Sequence, residues 1–247
     1  MINDRYVATI EARMNSSRLP GKVLLPAAGK PMLWHLVERL KQVKSLSEII
    51  LATTVNPSDD VLEKFAKEVG IKLFRGSEED VLSRVIGASE LFEADVIVEI
   101  SGDCPLIDPE LIAQCIEIHK HNNADFVSNA VVSSYPGGMD VSIFSLEVLK
   151  RSESMVTNPL HREHVCLNIV QNPNIFSHLY VLAPPKLHRP EFSVLLDEQN
   201  DYEVICHLIE KLGKQDPFFG CGVIADYLQT HNDIRKINAA VKRRGAA

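Results

Sequence analysis

The sequence predicts an α/β fold built on a mostly parallel sheet, and three observations carry that expectation. Short apolar strands alternate with amphipathic helices through the first half of the 247-residue chain, the layout of right-handed βαβ units. One strand, Val96 to Ile100, is apolar on both sides apart from Glu99, as a strand covered on both faces must be. The connection from the first strand to the first helix, Glu11 to Lys30, gathers Arg13, Arg18, Lys22 and Lys30 against the single acid Glu11 in a chain of net charge -7. Open α/β sheets bind ligands at such connections.

The elements follow in order. Arg5 to Ile10 reads as the first strand. Pro31 to Val43 reads as a helix with Leu33, Leu36, Val37, Leu40 and Val43 on one face. Ile49 to Thr53 is the next strand. Asp59 to Val69 is a helix with Val61, Leu62, Phe65, Ala66 and Val69 inward and Gly70 just past its end. Ile71 to Phe74 is a short strand, and Ser77-x-x-Asp80 has the form of a capping box for the helix after it. Asp108-Pro109 supplies an N-cap and a first-turn proline. The second half changes pattern: Asp140 to Phe144, Ile175 to Leu182 and Val194 to Leu196 read as strands, with a helical stretch from Leu160 to Gln171. Asn200-x-x-Glu203 then opens a helix that stops before Gly213. Residues 1–247 are read as one domain with an insertion at about 135–190, and Lys242-Arg243-Arg244 as a frayed end.

Composition narrows the function. Apolar content of 45% and charged content of 24% suit a soluble globular protein. No apolar run approaches the ~20 residues of a membrane span, and MINDRYVATI lacks a signal-peptide layout. The five cysteines (104, 115, 166, 206, 221) form no CxxC pair and are odd in number. That pattern predicts reduced thiols and a cytoplasmic location. The acidic balance argues against a sequence-independent nucleic-acid binder, and no membrane partner is expected.

The basic connection is more specific than its charge. Ser16-Ser17 precede Arg18-Leu19-Pro20-Gly21-Lys22, and Gly29-Lys30-Pro31 opens a helix. Cations, small residues and free backbone N–H groups suit a polyphosphate. The run is neither a Walker A loop nor a GxGxxG turn. Ser101-Gly102-Asp103-Cys104-Pro105-Leu106-Ile107-Asp108 follows the most buried strand and sets Asp103 at the sheet's carboxyl edge, where it would face the same crevice. Asp103 is the first candidate ligand for Mg²⁺, which one or two carboxylates plus substrate phosphates usually hold. Asp108 reads as a helix cap. His161-Arg162-Glu163-His164 has the wrong spacing for a zinc motif.

The run AR-x-x-SSRLPGK-x-L-x-x-x-x-GKPM resembles the nucleotide loop of the cytidylyltransferases that make CMP-activated sugars, the CMP-KDO and CMP-sialic acid synthetases, and most nearly the spore coat polysaccharide protein F branch. The resemblance implies a three-layer αβα, nucleotide-diphospho-sugar transferase (GT-A-like) fold with a small dimerisation arm. It implies transfer of CMP from CTP to a sugar or sugar-acid acceptor with release of pyrophosphate. Arg13, Ser17, Arg18, Lys22, Arg75, Ser101 and Asp103 are then expected to bind the nucleotide, and Arg13, Lys22 and Asp103 to be catalytic. Asp197, matching the first acid of the family's VDTPEDL segment, would join Asp103 on Mg²⁺, while Asp201 would be structural. Leu195 stands where some sialic acid synthetases carry a further Asp.

Arg75-Gly76-Ser77-Glu78-Glu79-Asp80-Val81-Leu82-Ser83-Arg84 resembles the family's RGSEDDVLxR run beside base and ribose. Arg84 reads equally as a ligand or as a salt-bridge residue. Asp140, Arg162, His164 and Arg189 are candidate acceptor contacts by the same resemblance, and Ser142 stands in place of the family's usual Glu. A homodimer through the 135–182 segment is implied. A glycosyltransferase of the same fold and a non-catalytic nucleotide-binding relative are the competing readings.

Overall fold

The computed structural model describes residues 4–243. Its strands are β1 (Tyr6–Glu11), the two-residue pair β2 (Pro26–Ala27) and β3 (Lys30–Pro31), β4 (Glu48–Thr54), β5 (Lys72–Gly76), β6 (Val96–Ser101), β7 (Phe126–Ser128), β8 (Ser142–Ser145) and β9 (His178–Tyr180). Its helices are α1 (Met32–Leu40), α2 (Asp60–Val69), α3 (Val81–Leu91), α4 (Pro109–Lys120), α5 (Leu146–Glu153), α6 (Leu160–Glu163), α7 (Leu167–Gln171), α8 (Gln199–Leu212), α9 (Cys221–Thr230) and α10 (Asn232–Ile237).

The main sheet runs in the order β5-β4-β1-β6-β8-β7-β9. β5, β4, β1 and β6 are parallel. β8 runs antiparallel to both β6 and β7, and β9 is parallel to β7. The period-two alternation of side chains divides the core. Tyr6, Ala8, Ile10, Val98 and Ile100 pack with Leu33, Leu36, Leu62, Ile112 and Leu208 from α1, α2, α4 and α8. Ile97, Phe126 and Phe144 face the other way, against Leu82 and Val85 of α3, Leu149 of α5 and Ile169 of α7. Each such buried aliphatic side chain contributes roughly 1.5–3 kcal/mol. Both faces are covered, so the three-layer αβα expectation holds. β8 and β9, from within the 135–190 segment, complete the same sheet rather than standing apart from it.

Several local expectations are corrected. α1 ends at Leu40 because Gln42 and Val43 turn back on Arg39 and Leu40 with tighter i→i−3 bonds. Val61 is 41% exposed, since the buried stripe of α2 is Leu62, Phe65 and Ala66. Asp80, not Ser77, caps α3: its Oδ1 accepts from the Ser83 N–H at 2.9 Å, and Ser77 Oγ accepts from the Asp80 N–H. The single helix expected from Leu160 to Gln171 breaks at His164, whose backbone is extended. Val194 to Leu196 is not a strand; its neighbourhood contributes one bridge, Gly137 to Ser193. α8 begins with a capping box between Glu198 and Asp201, displacing Asn200 and Glu203 from that role and leaving Asp201 structural as expected. Arg243 is not frayed, because its guanidinium forks onto the buried Asp201 carboxylate.

Candidate functional site

The loop after β1 is closed on itself before it meets any ligand. The Met14 carbonyl accepts from the N–H groups of Ser16 and Gly21. The Met14 N–H donates to the buried Asp59 carboxylate at 2.8 Å. The other Asp59 oxygen takes the hydroxyls of Thr53 and Thr54. The end of β4 thereby holds the loop that carries Arg18 and Lys22.

The end of β6 is pressed against the end of β1. Gly102 donates its N–H to the Glu11 carbonyl at 3.0 Å, and a Cβ at this position would lie 2.8 Å from both that oxygen and Ala12 Cβ. Only glycine permits this approach, and it brings Asp103 over the β1 loop. Ser101 Oγ donates to Asp103 Oδ1 at 2.6 Å. The Asp103 carbonyl accepts from the Leu196 N–H at 2.8 Å, which sets Asp197 beside it.

Lys22 joins the two acids. Its Nζ donates to Asp103 Oδ2 at 2.8 Å, to Asp197 Oδ1 at 3.1 Å and to the Leu196 carbonyl at 2.6 Å. Arg18 pairs with the same Asp197 oxygen at 2.9 Å and reaches Glu198 at 3.8 Å. Burial acts to lower the Lys22 pKa, but the adjacent charges of Asp103 and Asp197 outweigh it and hold the ammonium above its usual range. Two residues before Asp140, Gly138 has a φ of +92° and packs so closely on Val194 and Leu195 that a Cβ is excluded. Burial, and then the negative charge of Asp103, push the Asp140 carboxyl up to about 6.

The other expected site residues are distributed as follows. Arg13 is exposed and pairs with Glu78 at 3.3 Å. Ser17 is exposed on the loop. Arg75 is not drawn to the carboxylates: it holds the Thr54 and Asn56 carbonyls and pairs with Asp60 and Glu63. Arg162 ties Asp80 to Glu153, His164 is exposed, and the Arg189 guanidinium donates to the His188 carbonyl. Asp108 caps α4 and also accepts from the Cys221 N–H. Sequence reasoning missed Glu198, which meets Arg18 at 3.8 Å, and Arg243, which comes within 3.9 Å of Asp197 where the C-terminal segment folds back.

Two carboxylates converging on one ammonium are a donor set that suits a small divalent cation sharing its shell with phosphate oxygens. Among the described residues, no three His, Cys, Asp or Glu side chains are grouped to hold a metal by themselves, and none of the helices is long and apolar enough to cross a membrane. A cavity of about 590 Å³ lined by Lys30, Trp34, Arg39 and Phe219 lies elsewhere and carries none of these groups.

A cytidylyltransferase family model matches residues 7–222. An uncharacterized protein of Methanocaldococcus jannaschii is 34% identical over 242 residues, covering 97% of each chain. The spore coat polysaccharide biosynthesis protein SpsF of Bacillus subtilis is 33% identical over 211 residues, 83% of this chain and 87% of SpsF. The structure of a cytidylyltransferase from Leptospira borgpetersenii superposes with a TM-score of 0.90 at 27% identity, over 98% of this chain and all of that one.

Proposed function

The chain belongs to the cytidylyltransferase family, and from that premise we propose that it transfers CMP from CTP to an oxygen of a sugar or sugar-acid acceptor in the synthesis of a surface polysaccharide or glycan. The observation that carries this reading is the seat of Lys22 between Asp103 and Asp197, with Arg18 beside it, at the carboxyl edge of a parallel sheet.

The acceptor oxygen attacks the α-phosphorus in line. The bond from that phosphorus to the bridging oxygen of the β-phosphate breaks, the acceptor proton passes to solvent, and pyrophosphate leaves. Such transfer asks a protein chiefly for positioning and for charge aimed at the phosphoryl oxygens. Arg13, Arg18 and Lys22 meet that need on the triphosphate and on the departing pyrophosphate, with Ser17 on the same loop. Asp103 and Asp197 would hold Mg²⁺, which when bound neutralises charge on the phosphate oxygens. Ser101 fixes the Asp103 carboxylate through one oxygen and leaves the other to the ammonium. The 131–182 region exposes Val131, Val132, Leu160, Ile175, Tyr180 and Leu182, and β9 is a free sheet edge; this supports a homodimer through that region. The five cysteines are all free thiols, which supports a cytoplasmic location.

The test is pyrophosphate release from CTP and Mg²⁺ with a panel of sugar acids, sugar phosphates and phosphorylated acids. Acceptor-dependent release of pyrophosphate with formation of a CMP conjugate is expected. Release of free nucleoside diphosphate from a nucleotide sugar instead would replace this reading with glycosyl transfer.

A further inference from the structure

Between α1 and the connection from α8 to α9 lies a cavity of about 590 Å³ that the cytidylyl-transfer reading does not use. That volume falls in the range of small-molecule sites. Trp34 of α1 and Phe218 and Phe219 of the connection give it aromatic walls, and Lys30, Arg39 and Lys214 give it positive charge. None of Lys22, Asp103 and Asp197 lines it.

Arg39 is the lining group whose charge the protein leaves unpaired. It is 2% exposed. Its Nη1 donates to the Phe219 carbonyl at 2.9 Å and to the Ile107 carbonyl at 3.5 Å, and its Nη2 donates to the Pro217 carbonyl at 3.4 Å. Among the described residues Nε finds no acceptor, and no carboxylate comes within 4.0 Å of the guanidinium. The guanidinium lies 4.6 Å from the centre of the Phe219 ring, which supports the charge without neutralising it. Burial pushes its pKa down to about 10, against the weaker pull of Asp108 and Asp216. A buried charge without a counterion is costly, and the Arg fork matches a carboxylate or a phosphate. The neighbouring charges do not supply the counterion. Lys30 Nζ stands 5.3 Å from the centre of the Trp34 ring. Of the two acids that line the cavity, Glu38 is held by Lys41 at 2.7 Å, and Glu210 is exposed.

We propose that this cavity is a second ligand site, separate from the Lys22 centre, which takes a small planar aromatic acid. The rings of the ligand lie among Trp34, Phe218 and Phe219, and its anionic group meets Arg39, with Lys30 beside it. The inference does not rest on the cytidylyl-transfer reading. A neutral aromatic molecule fills the same volume but leaves Arg39 without a counterion, so charge decides which ligand is preferred.

Trp34 is the chain's only tryptophan, so the single indole N–H cross-peak of the ¹⁵N-labelled whole chain reports on this cavity directly. The probe is 2-naphthoate, with 2-naphthamide as its neutral counterpart. Naphthoate is expected to shift that cross-peak saturably and to bind roughly tenfold more tightly than naphthamide. Arg39→Met is expected to abolish the preference for the acid, and Lys30→Met to reduce it. Phe218→Ala, which removes part of the aromatic wall, is expected to weaken both ligands by about fivefold. Thermal melts verify folding. Should Arg39→Met fail to fold, Lys30→Met and Phe218→Ala carry the test, and no change in either then overturns the site. Equal binding of the two ligands, no saturable shift of the Trp34 cross-peak, or a preference that survives Arg39→Met also overturns it. Arg39 would then be a clip for the carbonyls of the α8–α9 connection.

Discussion

Lys22 Nζ lies 2.8 Å from Asp103 Oδ2, so the loop of β1 and the loop of β6 meet through one charged hydrogen bond. The same nitrogen holds Asp197. A solvated loop cation contributes little to stability, but only 13% of this side chain is accessible. Lys22→Ala removes the shared cation and leaves two carboxylates facing each other. We expect CTP affinity to fall at least tenfold and stability to fall by about 1–3 kcal/mol. Calorimetry and urea unfolding read the two effects separately, and unchanged CTP affinity in a folded variant would remove the loop from the nucleotide site.

Asp103→Asn and Asp197→Asn should each suppress turnover that depends on Mg²⁺ while CTP still binds through Arg18 and Lys22. Asp103 is expected to be the more severe, since its carboxylate makes the shorter bond to Lys22, 2.8 Å against 3.1 Å for Asp197. Initial rates across a Mg²⁺ titration provide the check. Wild-type rates at limiting Mg²⁺ in either variant would take that residue out of the metal set.

Glu99 offers a pH signature of stability. Burial pushes its carboxyl from 4.5 up to about 7. The folded chain therefore retains a proton that the unfolded chain has lost, so stability falls as pH rises from about 4.5 to about 7 and stays lower above that. Glu99→Gln, neutral throughout, should match the wild type below that window and exceed it at pH 8 by about 1–3 kcal/mol. Melting temperatures of both proteins at a series of pH values test this. A difference that is constant with pH would contradict it.

Cytosine should be preferred over the other bases. A pocket that pairs the amino group and O2 of cytosine leaves buried groups unpaired with uracil or a purine, at about 1–3 kcal/mol each. Titrations of CTP, UTP, ATP and GTP with Mg²⁺ should therefore separate CTP from the rest by tenfold or more. Equal affinity for CTP and UTP would favour a uridine-linked donor.

Light scattering at micromolar concentration should return the mass of a dimer. Ile175, Tyr180 and Leu182, on and beside the free edge strand β9, are 47%, 37% and 56% exposed, and a lone chain gains nothing from displaying them. A clean monomer mass would remove the dimer.

The parallel half of the fold was legible because its strands and helices differ in period, and the position of Asp103 because a Gly-Asp step after a buried strand falls at the sheet's carboxyl edge. Lys22 was legible from its loop, though its burial was not: that depends on Leu196 and Asp197, 174 and 175 positions further along. Glu11 and Glu99 were visible as acids within apolar runs, but nothing local says that adjacent strands bring them to one face. The capping of α3 was misplaced by three residues and that of α8 by two, because Ser, Asp and Glu compete for such positions. Arg243 looked like a frayed tail, since its partner Asp201 is 42 positions earlier.

Gly138 has a consequence for the timescales of the site. Its close packing on Val194 and Leu195, with Gly137 exchanging backbone hydrogen bonds with Phe192 and Val194, fuses the segments bearing Asp140 and Asp197 into one unit. Those amide protons should exchange with deuterium only on wide opening of the sheet, whereas the amides of Asn15 and Ser17, exposed on the turn after β1, should exchange within seconds. Nucleotide binding would then slow exchange in the turn alone, dividing the site into a frame that stands still and a flap that records occupancy.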